Sequence, residues 1–109
     1  MLDDLCATGG TLIRAAGALR EAGATAVHVA VTHAPLAKGL AALVAAPDIT
    51  GIVITDSVGT ALHAKPRSEG DKLATLPVAP LIAEALTRII SRVPLAPLLE
   101  RWPPADRSP

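Results

Sequence analysis

Two runs of consecutive apolar residues rich in β-branched side chains, at 26–32 and 51–55, predict strands that are buried on both faces. A weaker run at 73–79 predicts a third strand. Pro77 weakens that third prediction, because proline removes a backbone donor from a central strand. The polar segment 59–72, which contains glycine and proline, is interpreted as a loop.

Between and after these runs, apolar residues recur every three to four positions, which predicts helices. The first covers 11–22, and Gly23 follows it at the position where a glycine commonly ends a helix. A second helix is predicted from about 35 to 46, where Pro47 stops it. The third begins at Pro80, a favoured residue of the first helical turn. Its apolar residues are expected to be buried, and they are Leu81, Ile82, Ala85, Leu86, Ile89 and Ile90.

Strands that alternate with helices of this length are typical of βαβ units around a parallel sheet. Because the strands are apolar along nearly their whole length, both faces of the sheet are expected to be covered. The sequence therefore predicts an α/β protein with three layers, α/β/α, and a mostly parallel sheet. We expect this domain to cover residues 1–92 and a proline-rich C-terminal tail to cover 93–109.

Composition excludes several classes of function. Ten basic residues balance ten acidic ones among the 109, so the chain lacks the charge that nucleic-acid and acidic membrane surfaces attract. Trp102 is the one aromatic residue, which excludes a platform for stacking bases. Cys6 is the one cysteine and has no partner for an internal disulfide. Without a signal peptide or an apolar run of about 20 residues, a cytoplasmic protein that binds neither nucleic acid nor membrane is expected.

The segment with recognisable chemistry is LDDLCATGGT, at residues 2–11. Its glycines can adopt positive φ, so that several backbone N–H groups of residues 8–11 point at one anion, and the following helix adds the positive end of its dipole. The carboxylates of Asp3 and Asp4 suit sugar hydroxyls, or a Mg²⁺ ion that keeps most of its water. A pocket for a phosphorylated sugar is the functional interpretation. A plain tight turn beside solvated carboxylates is the structural alternative.

The run 3–11 closely resembles the phosphoribosyl diphosphate signature of the type I phosphoribosyltransferase fold. With the segments 31–33, 54–57 and 76–86, the chain over roughly 2–92 looks most like ribose-phosphate diphosphokinases, enzymes of nucleotide biosynthesis. The resemblance implies that Asp3 and Asp4 hold the ribose hydroxyls and Mg²⁺. It also implies a turn that holds the 5-phosphate of ribose 5-phosphate or phosphoribosyl diphosphate, formed by Ala7, Thr8, Gly9, Gly10 and Thr11.

The resemblance covers only the second of two similar halves of these enzymes. It implies an N-terminally truncated domain without catalytic residues of its own, which meets ATP only through the missing half. The interrupted sheet then suggests a homo-oligomer or a complex with a complete synthetase subunit. Whether the isolated chain is an enzyme stays open, as do the roles of His33 and Asp56. Ala7 keeps a phosphoribosyltransferase possible, and a non-catalytic regulatory subunit is the third reading.

Overall fold

Four parallel strands form one sheet in a computed structural model that describes residues 1–35, 37–59 and 71–100. The strands follow one another across the sheet in chain order, as β1 (Leu2–Leu5), β2 (His28–His33), β3 (Gly51–Thr55) and β4 (Leu73–Leu76). Leu2 pairs with Ala30, Ala30 with Val53, and Val53 with Ala74, so the strands are aligned across the sheet. The predicted α/β class with a parallel sheet is confirmed.

The chain divides into two compact units, Met1–Pro77 and Val78–Pro109. The first contains the sheet with α1 (Gly10–Glu21) and α2 (Ala37–Ala45). Because each of these helices connects neighbouring parallel strands, right-handed crossovers place both on one face of the sheet, where they contact each other. Alternate strand residues meet them there and form the core with residues of both helices: Val29, Val31, Ile52, Ile54, Leu12, Ala16, Leu40 and Leu43.

The predicted strand at 73–79 ends at Leu76, directly before Pro77, because the proline lacks the N–H that would continue the ladder. Most of the predicted loop at 59–72 lies outside the described residues. Within the predicted tail, Ala96–Glu100 forms a short helix, α4. No helix in the described part of the chain is long and apolar enough to cross a membrane.

The second unit contains α4 and a longer helix, α3 (Ala79–Ile90). The helix was predicted, but the expected burial of its apolar residues is wrong, because none of its residues is buried. Ile90, for example, is 80% exposed. Among the described elements, this unit offers α3 only the short helix α4, which is too small to cover a stripe of six apolar side chains.

Polar side chains tie the elements together at the amino ends of the strands. The Arg20 guanidinium, at the end of α1, donates to the carbonyl oxygen of Asp48 at 3.0 Å and to the Thr50 hydroxyl at 2.9 Å. It also donates to the carbonyl oxygens of Ala24 and Thr25. One side chain thus joins the segments that lead into β2 and β3, and we call this arrangement the Arg20 clamp.

Candidate functional site

The turn between β1 and α1 is held by backbone hydrogen bonds on both sides. At its start, the Cys6 N–H donates to the carbonyl oxygen of His33, at the end of β2, over 2.8 Å. At its end, the Ile13 N–H donates to the Gly9 carbonyl oxygen over 2.9 Å, which is the first bond of the helix. Gly9 has a φ of +76°, a left-handed conformation that suits glycine. The first N–H groups of a helix have no acceptor within it, so this turn presents donors to an anion.

Cys6 supports the turn from the inside. Its side chain is 2% exposed, and burial raises the pKa of the Cys6 thiol. A hydrogen bond from the Gly9 backbone opposes that rise, whereas the Asp3 carboxylate adds to it. The thiol is therefore a neutral packed group, and the Gly9 amide is turned towards it. Because the Gly9 N–H is directed to the thiol, the first backbone N–H group of the helix that can bind an external anion is that of Gly10.

The adjacent carboxylates point to opposite faces of the sheet, because side chains alternate along a strand. Asp3 lies beside Val31, which faces the helices, whereas Asp4 follows on the other face. Asp3 lines a cavity of about 160 Å³ together with Leu5, Cys6, Ala7, Thr8, Gly9, Thr11 and Leu12. Asp4 does not line that cavity. It lines an open trough of about 420 Å³ whose lining also includes Asp3, Thr32 and Thr55.

The structure thus places most of the predicted site residues around one small cavity: Asp3, Ala7, Thr8, Gly9 and Thr11. Gly10, the first residue of α1, is adjacent in the chain but does not line it, and Asp4 belongs to the trough. No three His, Cys, Asp or Glu side chains gather within the described residues. Single carboxylates fit Mg²⁺, which commonly uses one or two of them together with substrate oxygens and water.

A cluster of hydroxyl groups joins the carboxyl ends of β2 and β3. The Thr55 hydroxyl donates to the Thr32 carbonyl oxygen over 2.6 Å, and the Ser57 N–H donates to the Thr55 hydroxyl over 3.2 Å. The Ser57 hydroxyl is 2.7 Å from Nδ1 of His33. Because the His33 carbonyl oxygen accepts from Cys6, this cluster is connected to the start of the turn. The Asp56 N–H donates to the Leu76 carbonyl oxygen, a bond that continues the pairing of β3 with β4.

Sequence reasoning missed two residues beside the turn. Nη1 of the exposed Arg14 lies 3.6 Å from the position that a Cβ on Gly10 would take. Its guanidinium lies at the positive end of α1, where an added cation costs about 0.3–1 kcal/mol unless an anion is present. No ion pair of Arg14 occurs among the residues that the structure describes. The sequence contained a signal for this placement: Arg14 follows Gly10 by four residues, and long side chains in a helix lean towards the preceding turn.

Gly39 is the other missed residue. It lies in α2, and its backbone approaches the backbone of Ala7 and Thr8. The signal was a glycine inside a helix made largely of alanine and leucine, a position that usually has a packing reason.

The chain is similar to known proteins over most of its length. Residues 1–99 match the family described as the phosphoribosyl synthetase-associated domain. The chain is 36% identical over 101 residues to a ribose-phosphate pyrophosphokinase of Hyphomonas neptunium, covering 93% of this chain and 31% of that protein. It is 35% identical over 107 residues to ribose-phosphate pyrophosphokinase 1 of Lactococcus lactis, covering 98% and 32%.

The chain is also similar in fold to a solved structure. The crystal structure of phosphoribosylpyrophosphate synthetase from Mycobacterium smegmatis matches with a TM-score of 0.68 and 27% identity, over 84% of this chain and 29% of that one. The chain therefore spans about a third of the length of these relatives.

Proposed function

The chain belongs to the phosphoribosyl synthetase-associated domain family, and on that premise we propose that it binds ribose 5-phosphate or phosphoribosyl diphosphate at the turn between β1 and α1. The observation that carries the proposal is the cavity that Asp3 lines together with residues of the turn, among them Thr8, Gly9 and Thr11. An acceptor for sugar hydroxyls and a set of donors for a phosphate then line one site.

Each group has a role that follows from its chemistry. The amide of Thr11 and the hydroxyl of Thr8, two residues that line the cavity, donate to the 5-phosphate, and the amide of the neighbouring Gly10 is a further donor at the N-terminus of α1. Arg14 supplies positive charge beside them. Asp3 accepts hydrogen bonds from the ribose hydroxyls. Asp4 provides a second carboxylate on the other face of the strand, for a hydroxyl or for Mg²⁺, which when bound neutralises charge on a diphosphate group.

The reaction that this site would serve is transfer of diphosphate from ATP to the anomeric hydroxyl of ribose 5-phosphate, which yields phosphoribosyl diphosphate and AMP. The chain holds the acceptor sugar, and we assign no catalytic residue to it. We infer that ATP is bound outside the stretch of the relatives that this chain spans. We therefore propose that the chain alone binds the sugar phosphate without turning it over, and that it acts in a homo-oligomer or beside a synthetase subunit.

A second candidate is a non-catalytic subunit that regulates a complete synthetase. The observation in its favour is the description of the matched family, which is that of a phosphoribosyl synthetase-associated domain. Both candidates include a site for the sugar phosphate. In the first, the sugar bound at this site is the substrate of diphosphate transfer, whereas in the second it is not converted.

The test is calorimetric titration of the full chain with ribose 5-phosphate, with and without Mg²⁺. A double variant, Asp3→Ala with Asp4→Ala, removes both carboxylates. Glu21→Gln removes one negative charge from the last turn of α1 and is the matched control. Ribose and inorganic phosphate are titrated separately, to show whether both parts of the ligand are recognised.

Mg²⁺-dependent binding that disappears in the double variant and persists in Glu21→Gln is the expected result. An absence of binding in a wild-type chain shown to be folded would overturn the proposal. AMP formation from ATP and ribose 5-phosphate, measured with the chain alone and with a synthetase added, then separates the two candidates. Transfer of the phosphoribosyl group from phosphoribosyl diphosphate to a base, with release of diphosphate, would point instead to a phosphoribosyltransferase.

A further inference from the structure

At Gly39, helix α2 lies directly against the main chain of the turn between β1 and α1. A Cβ placed on Gly39 would overlap the Ala7 carbonyl oxygen, and it would lie 2.9 Å from the Ala7 carbonyl carbon and 3.2 Å from that of Thr8. These neighbours are main-chain atoms, so a flexible side chain cannot move aside. The turn and the helix therefore fit only if residue 39 has no side chain.

The same contact is seen from the side of the turn. A Cβ on Gly9 would lie 3.0 Å from the Gly39 carbonyl oxygen and 3.2 Å from Cγ of Leu43. Two glycines from different elements thus meet, each leaving room for the other. Leu43 is fully buried in the core, so α2 is a fixed support and the turn rests against it.

Glycine in a helix interior is less favourable than alanine, so its presence at residue 39 needs a local cause. Gly17, in the middle of α1, provides a comparison. A Cβ there would meet one atom, Oδ2 of Asp48, at an ordinary 3.6 Å. The two positions are alike in being helical glycines and differ in what lies beside them.

We propose that Gly39 is a positioning residue of the sugar-phosphate site: its missing side chain sets the depth at which the turn lies and hence the direction of the amides that follow. The inference rests on the proposed function, in which that turn receives the 5-phosphate. Hydrogen bonds weaken steeply when donors are misaligned, so an outward shift of Ala7 and Thr8 reduces binding without requiring the core to change.

The experiment compares Gly39→Ala with Gly17→Ala in the full chain. Gly39→Ala raises the Kd for ribose 5-phosphate at least tenfold, whereas Gly17→Ala changes it less than twofold. Amide resonances in heteronuclear NMR spectra of the ligand-free proteins give a readout that does not depend on binding. The signals of Gly9, Gly10 and Thr11 shift in Gly39→Ala and stay in place in Gly17→Ala.

A double variant that combines Gly39→Ala with Gly17→Ala controls for a loss of stability caused by Gly39→Ala alone. Gly17→Ala favours the helix, so the double variant keeps Gly39→Ala in a more stable background. An unchanged Kd together with unshifted turn amides would overturn the inference. Failure to fold in both backgrounds would also overturn it, since Gly39 would then support the core rather than the turn. If the wild type itself does not bind ribose 5-phosphate, the proposed function fails, and the amide shifts still decide whether Gly39 positions the turn.

Discussion

The division of the two carboxylates between opposite faces of β1 predicts that they contribute unequally to binding. Asp3 shares its cavity with the turn, whereas Asp4 does not line it. We therefore expect Asp3→Asn to weaken ribose 5-phosphate binding more than Asp4→Asn does. Asparagine keeps the size of the side chain and one acceptor oxygen, so each change removes the charge with little effect on packing.

The magnitude follows from the loss of one charge-assisted hydrogen bond. Bonds to a charged group contribute about 1.5–3 kcal/mol, and bonds between neutral groups about 0.5–1.5 kcal/mol. The difference, about 1–1.5 kcal/mol, corresponds to a rise of roughly five- to twelvefold in Kd for Asp3→Asn. For Asp4→Asn, outside the small cavity, we expect a change below about threefold.

The assay is calorimetric titration of both variants at one fixed Mg²⁺ concentration, with thermal unfolding to show that they are folded. Equal losses, or a larger loss in Asp4→Asn, would refute the reasoning. The ligand would then approach the outer face of the strand, and the cavity beside the turn would not be its site.

Four other predictions concern the surroundings of the turn and the stability of the fold. Arg14→Gln raises the Kd for ribose 5-phosphate about threefold or more, and this loss shrinks as salt is added, because the interaction is a screened charge contact. Ser57→Ala removes the hydroxyl beside Nδ1 of His33 and weakens binding about two- to fivefold, whereas Thr87→Ala, which removes a 2.8 Å hydroxyl bond in α3, leaves the Kd unchanged. Arg20→Ala lowers the free energy of unfolding in urea by about 2 kcal/mol without changing ligand affinity, and an unchanged stability would show that the clamp contributes nothing. Because the pKa of the Cys6 thiol is raised in the folded chain, the unfolded chain loses this proton first, and the free energy of unfolding falls as the pH rises above the ordinary thiol value of 9.0. We expect a smaller fall in Cys6→Ala. Identical dependence of stability on pH in the wild type and the variant would count against a buried neutral thiol.

Local pattern predicted most elements of the first unit but not β1, whose central residues are two aspartates, a residue type that strands disfavour. The β-branched run predicted the strand at 51–55 with its observed bounds, because burial and propensity agree there. The start of α1 was predicted one residue late, at Thr11, because Gly10 gives no helical signal although its backbone is already helical. The exposed apolar stripe of α3 could not be foreseen, since periodicity shows that a helix has an apolar face but not whether another element covers it.

The candidate site was predictable in its residues more than in its geometry. Adjacent letters in the sequence suggested that Asp3 and Asp4 act as a pair, but strand alternation directs them to different faces. Gly39 is thirty residues from Gly9 in the chain, and only the packing of α2 on the turn brings their backbones together. Such contacts depend on tertiary structure and leave little trace in a single sequence.

The Arg20 clamp and the turn between β1 and α1 lie at opposite ends of the parallel sheet. The clamp joins the segments that enter β2 and β3, whereas the turn and the hydroxyl cluster follow the residues where strands end. Substitutions at sites without shared partners tend to act independently. Substitutions after the strands are therefore expected to leave the Arg20 clamp intact, so this end of the sheet can change its surface chemistry without loss of the fold.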